Sequence, residues 1–462
     1  GSESPVRGRR LTKKGDGGMK RNTACPSLER LGLDGGSVQC GACDEPAGTV
    51  EFRSGTLYEN TGSSYAIRVP EGGSGTWSLA NRSTYTNKIT GEGTLTIYCA
   101  VEHGNGWFAT RTPVAVNLAQ FTGTINATAD MADTYPRFTL NTSSGMPDGT
   151  LNTAGGVTVQ NTGRTFRIGT LAGNGALGGY ASFANDGATG VNTWQVGCDD
   201  DFAWAGTVTA NSKFEKVGSG KMTVSGVWDN TGEVAVKEGT LCLNDRSAEN
   251  AMLGSGELSV EDGAVLCGLG KLGNASVTVK RGGRLYSGTR EGASSGSLDF
   301  SGKRLTVSAG GEVMFNVASK VRCTTLEGIS SFSLRGTLKV SVREGLELEA
   351  GDEFQLWTAN RTVLSSACML DLDSPGEGLE WDTSALEDGV LKVKTATGIT
   401  GVVSGEPVDC VVYTLDGARA GYFTCMPSEV RAYMEENGFK SGMYMVKMTQ
   451  GQRTVSRKVT VD

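Results

Sequence analysis

The chain is expected to be all-β, a coil of short strands rather than a globule around a pocket, and three observations lead there. Sixty-eight glycines stand against ten prolines in 462 residues, without the Gly-X-Y period of collagen and with too much apolar content for disorder. Short runs alternate in side-chain character with a period near two. Related units also recur along the chain, as in repeat architectures. All three coincide in residues 214–244, where runs at 221–225, 233–237 and 240–243 are separated by glycine turns.

The totals narrow the classes. The length suits two or three ordinary domains, or one extended coil with a cap. A formal charge of -7 with acids and bases interspersed offers no broad basic surface, so nucleic acid is set aside as a partner. Eleven cysteines, an odd number, exclude a fully paired disulfide framework. Cys99, Cys242 and Cys267 lie inside strand runs and read as small buried apolar residues. Cys40-Gly-Ala-Cys43 lacks a second CxxC, and the only histidine, His103, is distant, so four zinc ligands do not assemble. A local disulfide among Cys25, Cys40 and Cys43 is the alternative. No stretch of about eighteen apolar residues predicts a transmembrane helix. The polar opening is not a signal peptide, and Gly1-Ser2 reads as a cloning remnant, with any leader removed or the sequence starting inside a longer protein.

In chain order, residues 1–46 are expected to be an N-terminal tail or cap, because the opening is basic (Arg7, Arg9, Arg10, Lys13, Lys14, Lys20, Arg21) and poor in apolar residues. Residues 47–210 form a first solenoid region, with alternating runs at 49–53, 65–69, 75–79 and 93–98. Two spans there match, 121–127 and 204–210: each has an aromatic residue two before a glycine, then a β-branched run. In 211–395, and already at 171–177, glycine precedes an apolar residue at strand starts (217–222, 253–258, 334–338) at irregular spacing, which describes a coil with insertions. Such a coil pairs its backbone above and below at ~4.8 Å and points apolar side chains inward in ladders. About 350 residues at about 20 to 25 per winding give on the order of fifteen windings. Its open ends would template aggregation and need caps. Residues 427–437 interrupt the β pattern and predict a helix with Val430, Tyr433 and Met434 on one face and Gly438 as its stop.

A resemblance sharpens this expectation. Residues 214 to about 315 resemble the autotransporter-associated β-strand repeat. The likeness lies in Lys216-Val217-Gly218-Ser219-Gly220-Lys221-Met222-Thr223-Val224-Ser225-Gly226, then Thr231-Gly232 and Val236-Lys237-Glu238-Gly239-Thr240-Leu241. Leu253-Gly254-Ser255-Gly256, Gly263-Ala264-Val265-Leu266 and Gly282-Gly283-Arg284-Leu285 continue it. Gly351-Asp352-Glu353-Phe354-Gln355-Leu356-Trp357 looks like the way such arrays close. The resemblance covers about forty per cent of the chain and implies a right-handed parallel β-helix at a secreted or outer-surface location. After a linker at 396–401 the register changes. In the last segment, 396–462, Val411-Val412-Tyr413-Thr414-Leu415-Asp416-Gly417, Ser441-Gly442-Met443-Tyr444-Met445-Val446-Lys447-Met448 and Val455-Ser456-Arg457-Lys458-Val459-Thr460-Val461 resemble the C-terminal sorting domain of the Bacteroidetes type IX secretion system. That implies a small antiparallel β-sandwich and the secretion machinery as a partner. The helix at 427–437 departs from the family.

Three features carry candidate chemistry. Asp199, Asp200 and Asp201 are clustered carboxylates, the ligand type calcium takes, and calcium-dependent polysaccharide lyases use a β-helix. A solvated acidic turn is the plainer reading, and no Gly-Gly-x-Gly-x-Asp nonapeptide is present. Gly292-Ala293-Ser294-Ser295-Gly296 matches the nucleophile-elbow spacing without its strand-to-helix setting, and His103 lies in a glycine-rich loop, so no catalytic residue is assigned. Finally, Trp77, Tyr85, Tyr98, Trp107 and Phe108 crowd the first half, and flat rings on a solenoid face stack on sugar rings. Trp77, Trp107 and Tyr98 are therefore the candidate ligand-binding residues, with a polysaccharide or cell-surface glycan as partner. The expected function is a non-catalytic scaffold: a stalk, adhesin or accessory module. The alternatives are a pectate-lyase-like enzyme and a glycan-binding module, and no cofactor is expected beyond calcium.

Overall fold

The computed structural model describes residues 10–21, 28–40, 48–59, 62–79, 85–99, 113–129, 137–140, 144–161, 163–179, 192–209, 212–244, 252–396, 406–427, 429–451 and 453–461. The protein is all-β apart from one α-helix and one 3₁₀ turn among these residues. It divides into two compact units. The first comprises Gly1–Arg343, Gln355–Leu372 and Glu387–Gly389; the second holds the remainder.

In the first unit the chain contributes strands alternately to two parallel ladders. One column of the first ladder sets Phe214 opposite Val234, then Leu258, Val277, Leu305 and Phe332. The matching column of the second sets Met222 opposite Leu241, Leu266, Leu285, Val313 and Leu338. Every one of these side chains is buried. The two-residue period selects them, since alternate residues of each strand face inward and stack on their counterparts. Each buried large apolar side chain contributes about 1.5–3 kcal/mol, so the stacked columns are a main source of this unit's stability. A third, five-stranded sheet joins Pro113–Val114, Arg137–Leu140, Thr158–Asn161, Ala176–Gly179 and Thr207–Val208 by parallel pairing.

Both ladders begin earlier than expected. Arg10–Lys14 and Gly18–Arg21 pair in parallel with Arg30–Cys40, which pairs in turn with Thr49–Glu59. The basic residues obscured these strands: Arg10, Lys14 and Lys20 are exposed, while Lys13 takes the inward register position of the buried Leu33 and so interrupts the apolar alternation. The glycines divide into two kinds. Gly197, at φ 142, occupies a backbone region that side chains rarely adopt. Gly226 has no such φ; a Cβ there would collide with the carbonyl oxygen of Gly206 in the neighbouring strand turn. At one corner Lys216 is buried, and its Nζ donates to the carbonyls of Val217, Gly218 and Glu238 at 3.0, 2.7 and 3.2 Å. Burial pulls its pKa down to about 8.

In the second unit, Leu379–Asp382 pairs antiparallel with Val390–Thr395. A separate antiparallel sheet runs in the order Arg419–Cys425, Val408–Thr414, Gly442–Gln450, Arg453–Val461. A β-sandwich was expected here; instead the helix Val430–Glu436 covers one face of this single sheet. Val430 and Met434 enter its core, and Tyr433 stacks on Phe423 with ring centroids 4.4 Å apart. The apolar triplet at i, i+3 and i+4 substitutes for a second sheet. Gly438, at φ 79, ends the helix. No helix among the described residues is long and apolar enough to cross a membrane.

Candidate functional site

The most regular surface of the first unit is the outward face of the parallel stack that runs from Ser74–Leu79 to Thr165–Gly173. Inward positions alternate with outward ones: Leu95, Ile125, Leu151 and Leu171 stack in the core. One residue before them, the outward column reads Ser74, Thr94, Thr124, Thr150, Thr170. One residue after them, it reads Thr56, Thr76, Thr96, Asn126, Asn152. Strands lie about 4.8 Å apart and same-face residues about 6.6 Å apart along a strand, so these side chains form a flat polar grid.

Two amides link the second column. Asn126 Nδ2 donates to Thr96 Oγ1 at 3.2 Å, and Asn152 Nδ2 donates to Asn126 Oδ1 at 2.9 Å. These bonds run along the stack and fix the amides in place. A third column places Tyr58, Ser78, Tyr98 and Thr128 in register, with Tyr58 46% exposed, Tyr98 and Thr128 half-buried and Ser78 buried between the two rings. The two tyrosines are separated by two strand spacings, roughly 9.6 Å. The first two columns carry no ionisable side chain. The outward positions between Lys213 and Lys280 differ, being laced with ion pairs such as Lys213–Glu233 at 3.6 Å and Lys280–Glu261 at 2.7 Å. A grid of hydroxyls and amides that both donate and accept, edged by flat rings, matches a neutral polyhydroxyl ligand and gives a charged one no counter-ion.

Of the sequence candidates, Tyr98 lies on this face. Trp77 does not: it sits between the outward Thr76 and Ser78, points into the core at 0% exposure, and meets Tyr85 edge-on at 5.4 Å. Alternation put it inside, since Leu57 and Ile97 are its register partners. Trp107 and His103 lie outside the described residues. The Asp199–Asp201 turn is exposed, but its outer carboxylates are engaged by the following winding. Asp199 Oδ1 accepts from Ser219 Oγ at 2.7 Å, and Asp201 Oδ1 accepts from the Lys221 N–H at 2.7 Å. The Ser219 bonds hold the Asp199 carboxyl below the usual range. Among the described residues no three histidine, cysteine or acidic side chains converge as metal ligands.

The grid was missed because each Thr-x-Thr or Thr-x-Asn run is unremarkable alone. Thr94-Leu95-Thr96, Thr124-Ile125-Asn126 and Thr150-Leu151-Asn152 become a surface only when register aligns them. A second feature also needed the fold: residues 288–295 form a strap across the second ladder, beside a cleft of about 260 Å³ lined by Tyr286, Arg290, Glu291, Met314 and Asn316. No family model matches the chain, and no curated protein matches it.

Proposed function

We propose that this protein is a secreted or cell-surface scaffold, a right-handed parallel β-helix without catalytic chemistry of its own, whose neutral hydroxyl and amide face binds an extended glycan. The in-register columns from Ser74 to Thr170 and from Thr56 to Asn152 carry this reading. Right-handedness follows from the strong chiral preference of connections between parallel strands of one sheet. Extended solenoid faces serve as binding surfaces elsewhere in nature, and the spacing of Tyr58 and Tyr98 suits a polymer running along the stack with every second sugar on a ring. The four-stranded antiparallel sheet and its helix at 408–461 would then engage the export machinery.

Binding to arrayed and insoluble polysaccharides tests the reading. Wild type is expected to retain at least one neutral glycan, and Tyr98→Ala and Asn126→Ala to lose it tenfold or more, about 1.4 kcal/mol. Binding that survives both substitutions removes the face from the reading. Digestion of uronate polymers, followed by the absorbance of the unsaturated product with and without calcium, tests the scaffold half. Turnover that disappears in Asp200→Ala makes the protein a lyase instead.

A further inference from the structure

Cys242 and Cys267 are register partners on adjacent parallel strands of the second ladder, Thr240–Asn244 and Val265–Lys271. Both point to the outer face, since Leu241, Leu243 and Leu266 fill the core side. Both are nonetheless fully buried free thiols. The cover is the strap at 288–295: Thr289 O accepts from Cys242 Sγ at 3.8 Å and from Lys221 Nζ at 3.3 Å. The strap is tied down by Ser287 Oγ donating to Gly296 O at 3.2 Å and by Asn316 Nδ2 donating to Ala293 O at 2.7 Å. Tyr286, the next register partner of Cys267, lines the cleft of about 260 Å³ beside the strap. A small molecule in that cleft is one strand away from the thiols.

The pair is arranged for exchange chemistry. Adjacent parallel strands lie about 4.8 Å apart, inside the roughly 4.4–6.8 Å over which Cα atoms are bridged by a disulfide. Each thiol is the other's strongest electrostatic neighbour, which lowers the Cys242 pKa with help from the Lys221 charge and raises that of Cys267. Cys242 is thus the better nucleophile and Cys267 the resolving thiol.

We propose that Cys242 and Cys267 are a redox-active dithiol that closes to a disulfide between neighbouring windings by exchange with a small-molecule disulfide. The Cys242 thiolate attacks one sulfur of that disulfide, forming a mixed disulfide and expelling one thiolate. The Cys267 thiolate then attacks the Cys242 sulfur and expels the second. Two protein thiols are oxidised, one disulfide is reduced to two thiols, and the two protons leave with them. The proposal does not depend on the glycan reading or on export.

Peptide mapping tests it on the full chain. Trypsin cuts after Lys237, Arg246 and Lys271, so the two cysteines fall on separate peptides, 238–246 and 247–271. The reduced protein is incubated with oxidised glutathione, quenched in acid, alkylated unfolded and digested without reductant. The expected product is the linked pair of these peptides as the dominant disulfide. In Cys242→Ser the link is absent; in Cys267→Ser, glutathione remains attached to Cys242. Oxidised wild type should also melt several degrees higher than reduced wild type, with no such difference in either variant. Full alkylation of both cysteines after oxidation, or linkage of Cys242 chiefly to another cysteine, overturns the assignment.

Discussion

Glu59 offers the sharpest quantitative test of how the first windings are held. It ends Thr49–Glu59, is 5% exposed, and burial raises its pKa to about 7. The groups that favour its charge are Tyr65, Ser63 and the Trp77 ring nitrogen, with no cation among them. The Trp77 N–H lies outside hydrogen-bond geometry. The hydrogen bonds themselves call for a proton. Ser63 Oγ lies 2.8 Å from Glu59 Oε2 and 3.0 Å from Asn87 Oδ1, and Asn87 Nδ2 is committed to Tyr65 O at 2.8 Å. One serine proton cannot serve two acceptors, whereas a protonated Glu59 donates to Ser63, which donates to Asn87.

The pH dependence follows from linkage. Between the ordinary value of 4.5 and about 7 the unfolded chain releases the Glu59 proton while the folded one keeps it. Stability therefore falls as pH rises through that window, by about 3 kcal/mol in all at about 1.4 kcal/mol per unit, and is flat on either side. Glu59→Gln keeps the shape and supplies an N–H to Ser63 at every pH. Relative to wild type it should be near neutral at pH 4.5 and more stable by up to about 3 kcal/mol at pH 8, several degrees in melting temperature. Denaturant or thermal unfolding of both proteins across pH 4.5 to 8 reads this directly. Parallel profiles for the two proteins refute the buried neutral carboxyl.

Three further outcomes follow from single contacts. Gly226→Ala forces a Cβ onto the Gly206 carbonyl and should lower stability by about 1–3 kcal/mol in denaturant unfolding, with no left-handed conformation to blame. Met434→Ala, which empties the helix side of the sheet core, should cost about 2–5 kcal/mol and make 408–461 a preferred site of limited proteolysis; equal protease resistance contradicts the helix as its cover. Because Asp199 and Asp201 are bonded to the following winding, chelator should leave the melting temperature unchanged, and a rise of several degrees on adding millimolar calcium would assign the turn to the metal after all.

What was legible in the sequence is what depends on period and local chemistry. The strands at 221–225 and 240–243 return within a residue as Lys221–Val224 and Thr240–Asn244, because alternation and flanking glycines are local properties. The helix was legible for the same reason: Val430, Tyr433 and Met434 mark one face of a 3.6-residue period before Gly438. Register was not legible. Val234 faces Leu258, while Leu258 faces Val277, so the lengths between partners vary from one winding to the next. Without those lengths the Thr and Asn runs could not be aligned, nor Cys242 set beside Cys267.

The aromatic residues show why composition misleads about sites in such a stack. Trp77 and Tyr98 lie on directly paired strands one register position apart, yet one is core and the other faces outward. The difference is parity: Trp77 pairs with Ile97, whereas Tyr98 pairs with Ser78 and Thr128. Parity is fixed by the most apolar alternate set, here Leu57, Trp77 and Ile97, because burying those rings and branches outweighs any surface preference by several kcal/mol. The interior claims the large aromatics first, Trp194, Trp204, Trp228 and Trp357 included. What remains outside is the complementary set of each strand, threonine and asparagine in 74–170 and lysine with glutamate in 213–280. The outward chemistry of each strand is therefore written in the residues its core did not select.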